Sequence, residues 1–246
     1  MHYIDLNCDM GEGIGNDAAI MPFISSSNIA CGAYAGDEHT MRSTVDLAMQ
    51  YDVAIGAHPG FNDKANFGRT NQQLEGNELY DLITSQVYAL HHICREQGAK
   101  LHHVKPHGAL YNMAATSREM SVIIAGAIKD VDPELKLYGL SGSLLISEAT
   151  NAGLTAVSEV FADRSYLDDG TLSPRSMPGA VIKSEDLAVE QVIQMVTTGK
   201  VTAITGDIVP IIAETICLHG DGEHAAAFAQ RINQSLRDHR LIIRYP

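Results

Sequence analysis

Asp5, Asn7, Asp9 and Glu12 open the chain in the string DLNCDMGEG. The first three alternate, and alternating residues of a strand share one face. Carboxylates held that close repel unless a cation, a proton or a hydrogen-bond donor separates them. The pattern fits a catalytic or cation-binding cluster, or a hydrogen-bonded barrel entrance. Polar groups of the same kind recur downstream: Asn28 ahead of Cys31-Gly32 and Asp37, His58-Pro59-Gly60, and Lys105-Pro106-His107-Gly108. Glu159 is followed by Asp163 and Arg164, and His219 by Gly220-Asp221. Histidines in strand-to-loop turns beside acids and a lysine suit proton transfer. Cys31 has no neighbouring base and reads as a small buried hydrophobe. The pairs His91-His92 and His102-His103 read as structural or surface residues, because at least one member of each must face away from a shared site.

These clusters follow the elements that must position them. Strand-type runs are expected over 3–8, 28–31, 53–58, 101–105, 136–139, 156–161 and 215–218. Helical patterns lie between them: one capped by Asp37, one through Leu79–Ile93 that closes at Gly98, and others over 122–131, 144–152, 187–198 and 223–236. Such alternation predicts an α/β fold with parallel strands and helical crossovers, and about seven units favour a single β/α barrel domain over 1–246. In a barrel the carboxyl ends of all strands converge on one mouth, and it is there that the polar clusters fall. Two stretches break the rhythm. Residues 163–178 are too long and polar for an ordinary connection and read as a binding loop or lid; residues 201–212 read as an extra hairpin.

Composition narrows the partners. With 17 basic and 30 acidic residues in 246, the formal charge is −13, which disfavours nucleic acid and anionic membranes. An anionic ligand would need a local positive pocket. The first residues lack a basic leader pattern, no apolar run reaches membrane-spanning length, and the scattered cysteines form no CxxC, so a soluble cytoplasmic protein is expected. No GxxxxGK[ST] loop is present, Gly11, Gly13 and Gly15 are wrongly spaced for a dinucleotide fingerprint, and neither GxSxG nor HExxH occurs. A nucleotide, if used, needs another binding mode or a partner chain.

The strings DLNCDMGEG, SNIACGAYAGD, GAHPGF, HVKPHGALYN, EVFADRSY with DGTLSPR, and CLHGD resemble the LamB/YcsF family, in the same order from end to end. The resemblance implies a seven-stranded, TIM-like β/α barrel of the glycoside hydrolase/deacetylase type. It also implies ATP-dependent opening of 5-oxo-L-proline to L-glutamate, with Mg-bound ATP as co-substrate and two further subunits, B and C, as partners. A lactam amide is a poor electrophile; phosphorylation of its oxygen activates it, after which the site needs a base for water, cations for anions and an acid for nitrogen. Under this reading Asp9 or Glu12 is the base with His58 as its partner, and His107 donates the proton. Lys105 and Arg164 clamp anions, Glu159 or Asp163 orients, and Arg175 reaches in from the long loop; Asn7, Asn28, Asp37 and His219 complete the substrate contacts. The family's CGxHAGD motif carries Tyr34 at its histidine position. In related deacetylase barrels an aspartate and two histidines hold a divalent metal. Three alternatives follow for Tyr34: no metal, a metal held by Asp9, His58 and another carboxylate, or the phenol as donor. A stand-alone metal-dependent deacylase of a sugar or small amide, and a non-catalytic lactam-binding subunit, are the competing functions.

Overall fold

Alternating apolar residues on the outside and polar ones on the inside shape the sheet of this chain, whose computed structural model describes residues 3–219 and 224–246. The strands are β1 (Tyr3–Met10), β2 (Ser26–Ala30), β3 (Ala54–His58), β4 (Leu101–Val104), β5 (Lys136–Leu140) and β6 (Thr155–Phe161). A short hairpin, β7 (Lys200–Thr202) and β8 (Ile208–Pro210), precedes β9 (Thr215–Leu218), and β10 (Ile242–Ile243) ends the series. Strands β1 to β6 and β9 pair in parallel, and β9 pairs back to β1, which closes a seven-stranded barrel. β10 adds to the outer end of β1, with Tyr3 opposite Ile242.

Helices α1 (Asp17–Ile20), α2 (Glu38–Gln50), α3 (Gly76–Glu96), α4 (Gly108–Thr116), α5 (Arg118–Val131), α6 (Leu144–Ala152), α7 (Glu185–Thr198) and α8 (Ala225–Asp238) connect the strands. Their ends follow local chemistry. Asp37 caps α2 by accepting from Thr40 N at 2.8 Å, Ser143 and Ser184 cap α6 and α7, and Gly153 and Gly199 end those helices in the left-handed region. Outward-facing strand residues such as Leu6, Met10, Ile29, Val104, Leu137, Val160 and Ile216 pack with Val45, Ile83, Val87, Leu90 and Ile128 of the helices in one buried cluster. Burial of this kind is what pays for ordering the chain.

All seven expected strands form, and the hairpin expected over 201–212 forms over 200–210. Helices α1 and α4 are additions, and α4 starts directly after His107. The long segment is folded on itself by bridges Arg164–Val181 and Tyr166–Leu172. Gly220, Asp221 and the expected helix start at Glu223 lie outside the described residues. Among the described residues no helix is long and apolar enough to cross a membrane.

Candidate active site

The inside of the barrel is polar from bottom to top. Lowest is Asp5, whose carboxylate accepts from Ser25 (2.6 Å), Ser26 (2.8 Å) and Thr215 (2.7 Å); burial raises its pKa despite these donors. Above it the Asn7 amide donates to Glu159 Oε1 (3.0 Å) and Thr215 (2.7 Å). Asn28 donates to Asn7 Oδ1 (2.7 Å) and to Asp9 Oδ1 (2.9 Å). Such groups are tolerated in a core because they satisfy one another.

Lys105 supplies the interior cation. Its ammonium stands 2.8 Å from Glu159 Oε1, 3.0 Å from Asp9 Oδ1, 3.1 Å from Cys217 Sγ and 3.2 Å from Asn7 Oδ1. Burial would lower its pKa, yet Asp9, Cys217 and Glu159 hold it well above the ordinary lysine value. Asp9 shows the mirror effect: burial would raise it, but His58 and Lys105 hold it well below the carboxylate range.

Four side chains meet at the mouth. Asp9, Glu12, His58 and His107 each place a ligand-type atom within 4.8 Å of the others. His58 Nδ1 donates to the Lys105 carbonyl (2.6 Å), and His107 Nε2 donates to the Phe67 carbonyl (2.9 Å). Each ring therefore turns its other nitrogen inward, His58 Nε2 and His107 Nδ1, which stand 3.0 Å apart. Burial and His58 push His107 down to about 3, so that ring is neutral. Asp9 Oδ2 lies 3.3 Å from His58 Nε2, and Glu12 Oε1 lies 3.8 Å from His107 Nδ1. Two imidazole nitrogens and two carboxylates facing one point form an arrangement that a divalent cation fits.

Tyr34 frames this cluster without entering it. Its ring stacks on His107 at 3.6 Å with planes 3° apart, and its hydroxyl donates to Glu12 Oε1 at 3.0 Å. Burial and Glu12 raise its pKa well above the ordinary phenol value, so it stays a donor. Gly60 and Gly68 make the room: a Cβ on Gly60 would stand 2.6 Å from Tyr34 Cδ1, and one on Gly68 would stand 3.0 Å from both Tyr34 Cβ and His107 Cδ2.

Above the cluster opens a cavity of about 700 Å³. Phe161, Leu140, Tyr111 and Ala115 give it apolar wall, while Arg69, Arg164 and Arg175 line it with positive charge. On the far side His219 Nδ1 donates to Asp163 at 2.9 Å, and Arg175 Nη2 lies 3.2 Å from His219 Nε2. Burial opposes a charged His219, but Asp163 raises its pKa above the ordinary value.

The structure thus brings Asp9, Glu12, His58, Lys105, His107, Arg164, Arg175 and His219 to one cavity, with Asp163 behind His219. Asn7, Asn28 and Glu159 lie beneath it, fully buried in the barrel. Arg164 is also a brace, donating to Ser173 O (2.6 Å) and Ala180 O (3.2 Å) across the long loop. Asp37 is the exposed cap of α2 and does not line the cavity. Arg69 and Tyr111 line it although sequence reasoning did not single them out. For Arg69 the one available signal was its place in the loop after a barrel strand.

The comparisons with known proteins agree with this geometry. The model of the LamB/YcsF family matches residues 4–245. The 5-oxoprolinase A subunit of Tolumonas auensis is 51% identical over 241 residues, covering 96% of each chain. The solved lactam utilization protein of Thermus thermophilus superposes with a TM-score of 0.93 at 40% identity, covering 99% of this chain and 100% of that one. Peptidoglycan deacetylase PdaC from Bacillus subtilis, at a TM-score of 0.51 and 10% identity over 99% of this chain and 87% of that one, shares the barrel alone. With the motif strings standing at the mouth of this barrel and a family model spanning all of it, the chain belongs to the LamB/YcsF family.

Proposed function

We propose that this chain is the ring-opening subunit of an ATP-dependent 5-oxoprolinase, working in the cytoplasm with two partner subunits, B and C. The overall reaction takes 5-oxo-L-proline, ATP and two waters to L-glutamate, ADP and phosphate. The observation that carries the reading is the cluster of Asp9, Glu12, His58 and His107 at the floor of the cationic cavity. Support for the substrate comes from relatives that bear the name of the 5-oxoprolinase A subunit, at 51% and 52% identity.

The chain has no phosphate-binding loop, so we assign activation of the lactam oxygen by Mg-bound ATP to a partner. Water then adds to the activated ring carbon, the C–N bond breaks, and the nitrogen leaves with a proton. A second water releases phosphate from the resulting acyl phosphate. Asp9, His58 and His107 are the residues that would hold a divalent cation, which when bound supplies Lewis-acid charge and acidifies water. Glu12, beside them, takes the proton from water; Asp9 is too weak a base for that role, being held ionised. The proton for nitrogen comes from His219, oriented by Asp163. His107 does not fill the donor role because its one N–H is committed to Phe67 O. Arg175, and Arg69 at the rim, take the substrate carboxylate or the phosphoryl group. Lys105 neutralises Asp9 and Glu159 rather than meeting the ligand.

The test is direct. Purified chain is incubated with 5-oxo-L-proline and ATP, with and without both partner chains, and glutamate and phosphate are measured. Turnover is expected only in the assembly and is lost with Asp9→Ala or Lys105→Ala. Turnover by the chain alone, or full activity in either variant, contradicts the reading.

A further inference from the structure

A line of hydrogen bonds runs through the barrel from its lower surface to Asp9. Lys136 Nζ lies 3.0 Å from His102 Nε2, His102 Nδ1 lies 3.1 Å from His103 Nδ1, and His103 Nε2 lies 2.8 Å from Asn28 Oδ1. Asn28 Nδ2 reaches Asp9 Oδ1 at 2.9 Å.

Donor and acceptor arithmetic fixes each link in turn. The ionised Asp9 carboxylate only accepts, so Asn28 must present its NH₂ to Asp9 and to Asn7 Oδ1. Its carbonyl oxygen then faces His103, which must donate from Nε2. His103 Nδ1 is left an acceptor, so His102 must donate from Nδ1. His102 Nε2 becomes an acceptor in turn and accepts a hydrogen bond from Lys136, whose ammonium also donates to Pro246 O and so bridges two acceptors 3.0 Å apart.

The backbone is cut to allow this. His103 on β4 must reach across β3 to Asn28 on β2, and it passes over Gly56, where a Cβ would stand 2.0 Å from His103 Nε2. The His103 ring also stacks on Tyr138 at 4.0 Å with planes 12° apart. At the upper end Asn28 and Lys105 together occupy Asp9 Oδ1, which leaves Oδ2 turned toward His58.

We propose that His103 is a positioning residue: with His102 behind it, it holds the Asn28 amide in the one orientation that locks Asp9 Oδ1 and presents Oδ2 to the mouth. The inference rests on the reading of Asp9 as a working group of the site. It gives the HH pair in the barrel a task that neither substrate contact nor surface solvation describes.

The test has an arm that needs no variant and no turnover. In wild-type protein with ¹⁵N-labelled histidine, long-range correlation spectra should show His103 neutral with its proton on Nε2, and His102 with its proton on Nδ1. A His103 proton on Nδ1 would overturn the proposal. The second arm compares His103→Leu with His103→Gln, the latter keeping an N–H aimed at Asn28. In the assembly the leucine variant should lose about 10- to 100-fold in kcat, with KM within about twofold, as removal of an outer hydrogen-bond partner commonly does; glutamine should recover most of it. Mn²⁺ affinity, read by electron paramagnetic resonance, should fall about tenfold in the leucine variant and recover in the glutamine one. Equal losses in both folded variants, or none, would overturn it. Absence of 5-oxoproline turnover in the wild-type assembly would defeat the functional reading alone, because the tautomer and Mn²⁺ arms still decide this one.

Discussion

His58 Nε2 and His107 Nδ1 face each other across 3.0 Å, each with its remaining N–H donated to a main-chain carbonyl. With Asp9 and Glu12 they set two imidazole nitrogens and two carboxylates around one point, a donor set that suits a divalent cation. From this follows the first prediction: the purified chain takes up one divalent cation, Mn²⁺ or Zn²⁺, per molecule. Elemental analysis after dialysis should show it. His58→Ala and His107→Ala should each lose it, whereas Glu12→Gln should keep the cation and lose turnover. Stoichiometric uptake in both histidine variants would sink the assignment.

Tyr34 holds Glu12 and supports the His107 ring. Tyr34→Phe keeps the stack and removes one hydrogen bond, so it should cost about 1 kcal/mol of stability and lower kcat with little change in KM. Gly60→Ala forces the tyrosine ring to move and should lower kcat as well. Thermal melts and steady-state kinetics on the same preparations separate the two effects.

Removing Lys105 leaves Asp9 and Glu159 buried without their counter-charge. Lys105→Met should therefore destabilise by about 3–5 kcal/mol, the usual cost of breaking a buried pair from one side. Adding Glu159→Gln should restore part of that loss. Urea unfolding of the single and double variants measures the coupling.

The Asp163–His219 pair gives a pH signature with a definite sign. Burial alone would disfavour the charged ring, but Asp163 raises the folded His219 pKa above the ordinary value of about 6.5. Its contribution to stability is fully present below that unfolded value and is lost as pH rises through the folded one. Asp163 is itself opposed by burial but lowered by His219, so its share is lost only as pH falls through its depressed pKa. Activity that needs protonated His219 should decline on the same alkaline limb, and Asp163→Asn should move that limb down by about one pH unit. An unmoved limb in the pH–rate profile would remove His219 from the proton-donor role.

Much of this was legible before any coordinates. Alternation placed Asp5, Asn7 and Asp9 on one face, and β9 and α6 fall on their expected bounds because glycine or polar residues flank both. Helix α4 escaped notice because Gly108, Ala109, Ala114 and Ala115 give no sharp polar face. Strand ends converging on one mouth are a property of the barrel, so Asp9, His58, His107 and His219 could be gathered from sequence alone. Depth was not legible. Alternation says which way Asn28 and Glu159 point, but not that both stop beneath the cavity, since strand stagger sets the height of each side chain. Asp37 looked like a site residue because it follows a glycine motif, and its capping role uses the same side-chain chemistry. Tyr34 was read against a ligand's place, whereas its hydrogen bond to Glu12 depends on packing between Gly60 and Gly68.

Glutamate release by the reconstituted three-chain assembly, wild-type against Glu12→Gln, tests the central claim most directly. The account predicts that the folded variant still assembles and still binds a divalent cation, while ring opening falls by at least about a hundredfold, as loss of a general base commonly does. Wild-type rates of glutamate formation in that variant would contradict it.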